Sequence, residues 1–413
     1  MSLKVIRQSL CVQPEGLNPI RAHYRFLLNQ RPAVAPFFCL IRRFLRFARQ
    51  FRRIPFVNSE ISASDISIRS ISLWTWHSLS ASTKLQVDVY PALELWRSCM
   101  TWNHKPWSGV FAATLCPFRK DQSIDESGLV EYISELASVE GIQGLVCNGH
   151  TGEVMSLLPG ERVQVTAIVA ETAAKSARDL KVVSGVMAEG TLEATEHALA
   201  AKEAGADAIL LMPPHHWLRF GRSSETAVAF CTDVADAAGI DVILHQYPAW
   251  TKAGYSLDEM LEIAQHPSVV MIKMGTRDMS RWLHDFESLK ESSPETTVVT
   301  CHDEFLLPTL FEAADGALIG FAGFAPHLMV ELVHAALDGD YQRAKKAQRV
   351  VAPLARLIYN FGEPGCGAHQ RMKVARWLLG KFSSPHFRRP VNPLPEAEVQ
   401  RIGSALAKIK PTL

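Results

Sequence analysis

The chain has 413 residues, 47% of them hydrophobic, enough for one large domain with an extension or for two domains. Lys and Arg (43) balance Asp and Glu (42) unevenly: residues 1–99 carry a net charge of +9 and residues 100–413 a net charge of −8. That acidic balance argues against nucleic-acid binding by the C-terminal three quarters, and no stretch reaches the roughly 18 apolar residues that span a bilayer.

Residues 1–99 show no alternation of strand and helix patterns. Their most patterned part runs from Cys39 to Phe51, where Leu40, Phe44, Leu45, Phe47 and Phe51 interleave with Arg42, Arg43, Arg46 and Arg49 as in a basic amphipathic helix. Three readings fit: translated sequence upstream of a start at Met100, a mitochondrial presequence, or a functional arm. The first is the expectation, with residues 1–99 a poorly structured extension.

From residue 107 a rhythm begins. Strand patterns fall at 109–117, 144–149, 181–186, 207–213, 241–247, 269–274, 297–302 and 316–321. The segments between them have helical periodicity, as in Leu129, Ile133, Leu136 and Ala137. Eight such β–α units predict an α/β fold, a (β/α)8 barrel over residues 100–325. Helical patterns at 327–359 and 366–380 predict a C-terminal helical segment, 326–413, packed on the barrel.

Chemistry in this fold sits at the C-terminal ends of the strands. Those ends read Thr114, then Gly149-His150-Thr151-Gly152-Glu153, Pro213-Pro214-His215-His216, His245-Gln246-Tyr247-Pro248, Lys273, and His302-Asp303. Lys273 stands alone in the apolar run Val269–Met274. An apolar wall disfavours an ammonium, and an amine freed of its proton attacks carbonyls. The competing reading is a lysine snorkelling from its strand end. None of the eight cysteines forms a C-x-x-C pair and several lie in apolar runs, as expected for reduced thiols in a cytoplasmic protein.

Five motifs in order give residues 107–400 a resemblance to the dihydrodipicolinate synthase / N-acetylneuraminate lyase family. They are Ala113-Thr114-Leu115-Cys116-Pro117-Phe118, Gly149-His150-Thr151-Gly152-Glu153, His245-Gln246-Tyr247-Pro248, Ile272-Lys273, and Gly316-Ala317-Leu318-Ile319-Gly320. The resemblance implies that Lys273 forms a Schiff base with pyruvate or another 2-oxo acid. It implies Thr114, Thr151, Gly152, Leu318 and His216 as the substrate-binding set, with backbone N–H groups near Thr151 on the carboxylate. It also implies a homo-oligomer, a dimer or a tetramer of dimers. A helix N-terminus behind Thr151 would favour the anion, and Thr151 is also a candidate N-cap. Glu153 reads as structural.

The sequence departs from the family in two places. Where synthase-type members relay protons through hydroxyls, this chain has His245, His150 and His216, with His215 as the alternative to His216 because either histidine of that pair could face inward. An imidazole titrating near 6.5 both takes and gives protons at neutral pH, so His245 is the expected general acid/base, with His150 relaying to it and Tyr247 as the alternative. Synthases also carry an arginine two residues past the motif proline; here Ala249 and Trp250 follow Pro248, and Lys252 is the nearest cation. A lyase, hydratase-aldolase or dehydratase acting on a different 2-oxo acid is therefore expected over the synthase proper, its pocket lined by Trp217, Trp250 and Phe324.

No cofactor is expected, since no Gly-rich phosphate loop is present. The rivals are a metal-dependent aldolase or hydrolase using His150, His216, His245, His302 and Asp303, and a non-catalytic ligand-binding barrel.

Overall fold

A computed structural model describes residues 106–359 and 366–409. The segment 1–99 and its basic helical pattern lie outside the described residues. So does Met100.

Eight parallel strands close into a barrel in sequence order. They are β1 (Gly109–Ala113), β2 (Ile142–Cys147), β3 (Lys181–Val186), β4 (Ala208–Leu211), β5 (Asp241–Gln246), β6 (Val269–Met274), β7 (Thr297–Thr300) and β8 (Gly316–Ile319). Each matches a strand pattern in the sequence. Most stop one to four residues sooner than the apolar run, because the polar strand ends turn into loops. β1 meets β8 at Gly109 and Gly316, where a Cβ on Gly316 would lie 2.1 Å from the Gly109 carbonyl oxygen. Only glycine permits that approach.

Strand parity sorts the side chains into two layers. Phe111, Val146, Val183, Leu210, Ile243, Met271, Val299 and Leu318 fill the interior, one from each strand. Trp107 stacks on Phe111 at 6.1 Å and closes the N-terminal end. The opposite faces of the strands pack against the surrounding helices in a second, larger core.

Helices begin where local chemistry caps them. Asp125 accepts from the Gly128 N–H at the start of Glu126–Ser138, and Ser256 and Glu259 form a reciprocal capping box at Leu257–Ile263. The single helical pattern at 327–359 proves to be two helices, Pro326–Leu337 and Tyr341–Tyr359, separated by Gly339 at φ 73°. The helix Cys366–Leu378 lies over the C-terminal mouth, and Glu396–Ile409 packs behind it. No helix among the described residues is long and apolar enough to cross a membrane.

Candidate active site

Lys273 shares strand parity with Met271 and therefore points into the barrel. It is half-buried, and no carboxylate pairs with it among the described residues. Its register partner on β5 is His245, which shares parity with Ile243. His245 is 1% exposed, and neither ring nitrogen has a hydrogen-bond partner. The His150 ring lies 5.4 Å from it, and the Tyr247 ring 5.7 Å on another side.

The loop after β2 is pinned at both ends by residues in the left-handed region. Asn148, at φ 52°, donates from Nδ2 to the Arg162 carbonyl (2.8 Å), Thr166 Oγ1 (2.9 Å) and Ser184 Oγ (3.0 Å). Glu153, at φ 58°, accepts from Lys373 and from the Arg388 N–H at 3.3 Å. Between them, the N–H groups of Gly152, Glu153 and Val154 bond back to Gly149 and His150 carbonyls. The N–H groups of His150 and Thr151 have no partner among the described residues. Two adjacent free N–H groups beside a threonine hydroxyl form a nest for an anion. Gly152 sits in a tight space, where a Cβ would stand 3.2 Å from the Thr114 carbonyl oxygen and 3.3 Å from the Asn148 nitrogen.

Two expectations about this loop are corrected. A three-residue 3-10 turn, Val154–Ser156, follows it, and the helix proper starts only at Pro159. No helix terminus therefore backs the anion nest, and Thr151 is not an N-cap.

Protonation differs from expectation as well. Burial, then Lys273, then neighbouring histidines push His150 down to about 3. Burial, then Lys273 and His150, hold His245 well below 6.5. Both rings are neutral at pH 7. Each is able to take a proton, but neither arrives carrying one.

Thr114 is buried and donates to the Val146 carbonyl at 3.4 Å, and Leu318 belongs to the interior layer. His216 is not brought to the cluster. It is exposed at the start of the His216–Phe220 helix, its ring tilted against Phe220 with centroids 4.7 Å apart, while half-buried His215 is close enough to His150 to lower its basicity. Trp217 packs on Phe230 and Tyr255, and Phe324 on Phe321, so both are core residues and not pocket walls. The Trp250 side chain is outside the described residues. Lys252 is exposed and donates to the Ala249 carbonyl at 2.8 Å. It does not stand in for the missing arginine.

Arg277 and His369 escape the sequence reading, in which Asp303 is only a polar strand end and a rival metal ligand. Arg277, four residues past Lys273, holds Glu304 through two bonds of 2.8 and 3.2 Å and also bonds the Tyr247 hydroxyl. The fully enclosed carboxyl of Asp303 is raised to about 6, chiefly by burial; it accepts from the Phe321 N–H at 2.7 Å and bonds Tyr359. His369, on the Cys366–Leu378 helix, places Nε2 3.5 Å from Thr151 Oγ1. Only its position on a helix beyond the barrel hid it. A cavity of about 390 Å³ opens at the other end of the barrel, between Trp107, His266 and Thr297. It is remote from Lys273, whose neighbours all lie at the C-terminal mouth. No group of three or more His, Cys, Asp or Glu residues is arranged to hold a metal ion among the described residues.

A parallel (β/α)8 barrel with an inward lysine near the C-terminal end of β6 places the chain among the barrel lyases. The particular family follows from comparison. The family model of the dihydrodipicolinate synthetase family matches residues 106–409, and the chain belongs to that family. It is 30% identical over 302 residues to the 4-hydroxy-tetrahydrodipicolinate synthase of Methanothrix thermoacetophila, covering 73% of this chain and 96% of that one. It is 30% identical over 305 residues to an uncharacterized DapA-like lyase of Rhizobium meliloti, covering 74% and 96%. Among solved structures, the chloride-inhibited dihydrodipicolinate synthase of Acinetobacter baumannii complexed with pyruvate superposes with a TM-score of 0.65 at 27% identity, over 73% of this chain and 99% of that one. The protein is a lyase of this family.

Proposed function

We propose that Lys273 captures the keto carbon of pyruvate or a related 2-oxo acid as an imine, and that the enzyme makes or breaks a bond two atoms away. The observation that carries this reading is the pairing of inward Lys273 with unpartnered His245, whose ring lies 5.4 Å from that of His150 on the loop after β2. Pyruvate, present in the A. baumannii complex, has the two functions such a site would take.

The carboxylate sits on the His150 and Thr151 N–H groups and the Thr151 hydroxyl. The Lys273 amine adds to C2, and neutral His245 takes the proton that nitrogen sheds. That proton passes to the C2 oxygen to give the carbinolamine, and a second proton, drawn from solvent, lets the oxygen leave as water while the nitrogen keeps its remaining hydrogen as a cationic imine. The cationic imine then withdraws electrons from C3, so a C3 proton or a C3–C4 bond is released as the enamine forms. His245 is the nearest base for that proton, and the reverse sequence builds the bond.

The chain offers no arginine past Pro248 for a second, carboxylate-bearing aldehyde, so a different aldol cleavage, hydratase-aldolase or dehydratase reaction is favoured over the synthase proper. Assembly into dimers or tetramers and a cytoplasmic location belong to the same proposal; light scattering tests the assembly.

Borohydride reduction in the presence of pyruvate, followed by peptide mass spectrometry, tests the chemistry. A reduced adduct on Lys273, absent from Lys273→Ala, is expected. Turnover without an adduct overturns the reading. A screen of 2-oxo acids and sugar acids for pyruvate release then identifies the substrate, and condensation with the synthase aldehyde would restore the synthase reading.

A further inference from the structure

The helix Cys366–Leu378 is fixed against the site loop at several points. Lys373 is fully buried and bonds Glu153 at the loop's end, donates to the His386 carbonyl at 3.0 Å, and lies between the rings of Phe118 (4.4 Å) and Phe387 (4.1 Å). Arg376, also fully buried, bonds Glu135 at 2.5 Å. Met372 lies against Gly320, close to Thr151. One turn before Lys373, on the same face, is His369.

His369 is crowded by protein yet keeps part of its surface open, as residues lining a narrow cavity do. Its Nε2 lies 3.5 Å from Thr151 Oγ1, at the long limit of a hydrogen bond, and such contacts tighten when a ligand enters. Burial, then Lys273 and Lys373, push its basicity down to about 4, so the ring acts at neutral pH as a dipole and not a charge.

We propose that His369 is a positioning residue for the substrate carboxylate, acting through Thr151. The argument is one of proton counting. A threonine hydroxyl has a single hydrogen to give. If it gives that hydrogen to His369, none is left for a carboxylate. If His369 carries its hydrogen on Nε2 and donates it to Oγ1, the Thr151 hydrogen turns toward the anion. The chain Nε2–H to Oγ1–H to carboxylate is then polarised in one direction and each bond strengthens the other. The role rests on the proposed 2-oxo acid reading for the ligand's class, but not on imine formation.

The test is calorimetric titration with pyruvate, run in both the Lys273 and the Lys273→Ala chain. His369→Leu removes the donor and should weaken pyruvate binding about tenfold in each background. His369→Gln places an amide N–H near the same point and should stay within about threefold of the parent. With an active substrate, His369→Leu should raise KM by a similar factor and lower kcat by less than about threefold. His369→Phe repeats the test with the ring volume retained, should leucine unfold the helix. Unchanged affinity in the leucine or phenylalanine variant overturns the inference, as does a glutamine variant no better than either. Loss of the borohydride adduct in the parent protein, with the His369 effect intact, would instead sink the imine reading alone.

Discussion

His245 and Lys273 are register partners on adjacent parallel strands and point to the same interior face. A parallel ladder puts register partners side by side, so the strand pairing itself brings a neutral imidazole beside the amine without any loop having to place it. Lys273 disfavours a proton on His245, since two cations there would share one poorly solvated space.

This arrangement has a cost in stability. A buried ring with both nitrogens unpartnered gives up its bonds to water and gains none in exchange, a loss of about 1–3 kcal/mol. His245→Leu should therefore raise the free energy of unfolding in urea by about that amount. The same change should lower turnover by about 10²–10⁴-fold, the usual contribution of a positioned acid or base. A leucine variant that is less stable and fully active would contradict both halves of the argument.

The second prediction concerns the buried pair behind the loop. Lys373 and Glu153 lie among Phe118, Phe387 and Cys116, and removing one partner leaves the other charged in an apolar setting. Lys373→Met or Glu153→Gln alone should cost about 3–5 kcal/mol. The double variant should cost clearly less than the two singles together, because it leaves no uncompensated charge. Additive losses in the cycle would mean that the two side chains act independently.

Which of these relationships the sequence reveals depends on how local they are. Period-2 runs and helix-to-strand turns made the eight β–α units legible, and the lone lysine in Val269–Met274 stood out as the one charged residue in an apolar strand. Spacing alone placed His150 and His245 at strand ends. What the sequence did not show was direction within a turn. His215 and His216 are adjacent, and the helix His216–Phe220 turns the second outward. Nor did it show contacts made across long separations: His369 lies 218 residues from Thr151, and Lys373 220 from Glu153. Aromatic residues misled for a related reason. Trp217 follows a site histidine, yet its ring is buried against Tyr255 outside the barrel.

Gly275 carries a third prediction. It follows β6 directly, and a Cβ there would fall 2.3 Å from Tyr247 Cδ2 and 2.9 Å from Cys301 Sγ. Gly275→Ala must push the Tyr247 ring off its place beside His245 and disturb its bond to Arg277. Overpacking of this kind costs about 1–3 kcal/mol. Turnover should fall while the borohydride adduct on Lys273 still forms, since the amine is not displaced. An alanine variant as active and stable as the parent would show that the ring yields freely.

The last prediction follows from the buried titrating groups. His150 is lowered to about 3, His302 and His369 to about 4, and His245 well below 6.5, in every case chiefly by burial. Unfolded histidines titrate near 6.5. Between the folded and unfolded values the unfolded chain binds protons that the native protein does not, so stability is full above about pH 6.5 and falls as the pH drops toward 4. Asp303 acts in the opposite sense. Its folded value of about 6 exceeds the unfolded 3.8, so the native state gains one proton over that interval. The lowered imidazoles outnumber the carboxyl set against them, so the unfolded chain is the net binder of protons over that interval. Unfolding free energies from urea titrations at pH 7.5, 6.5 and 5.5 should therefore decline at an increasing rate, each net proton contributing about 1.4 kcal/mol per pH unit. His302 stacks on Phe305 at 4.7 Å, away from the loop after β2, so His302→Phe isolates one member of the set. That variant should flatten the slope by about one proton. A parent protein equally stable at pH 7.5 and 5.5 would mean that the rings are hydrated in solution and that the closed pocket around Lys273 is not maintained.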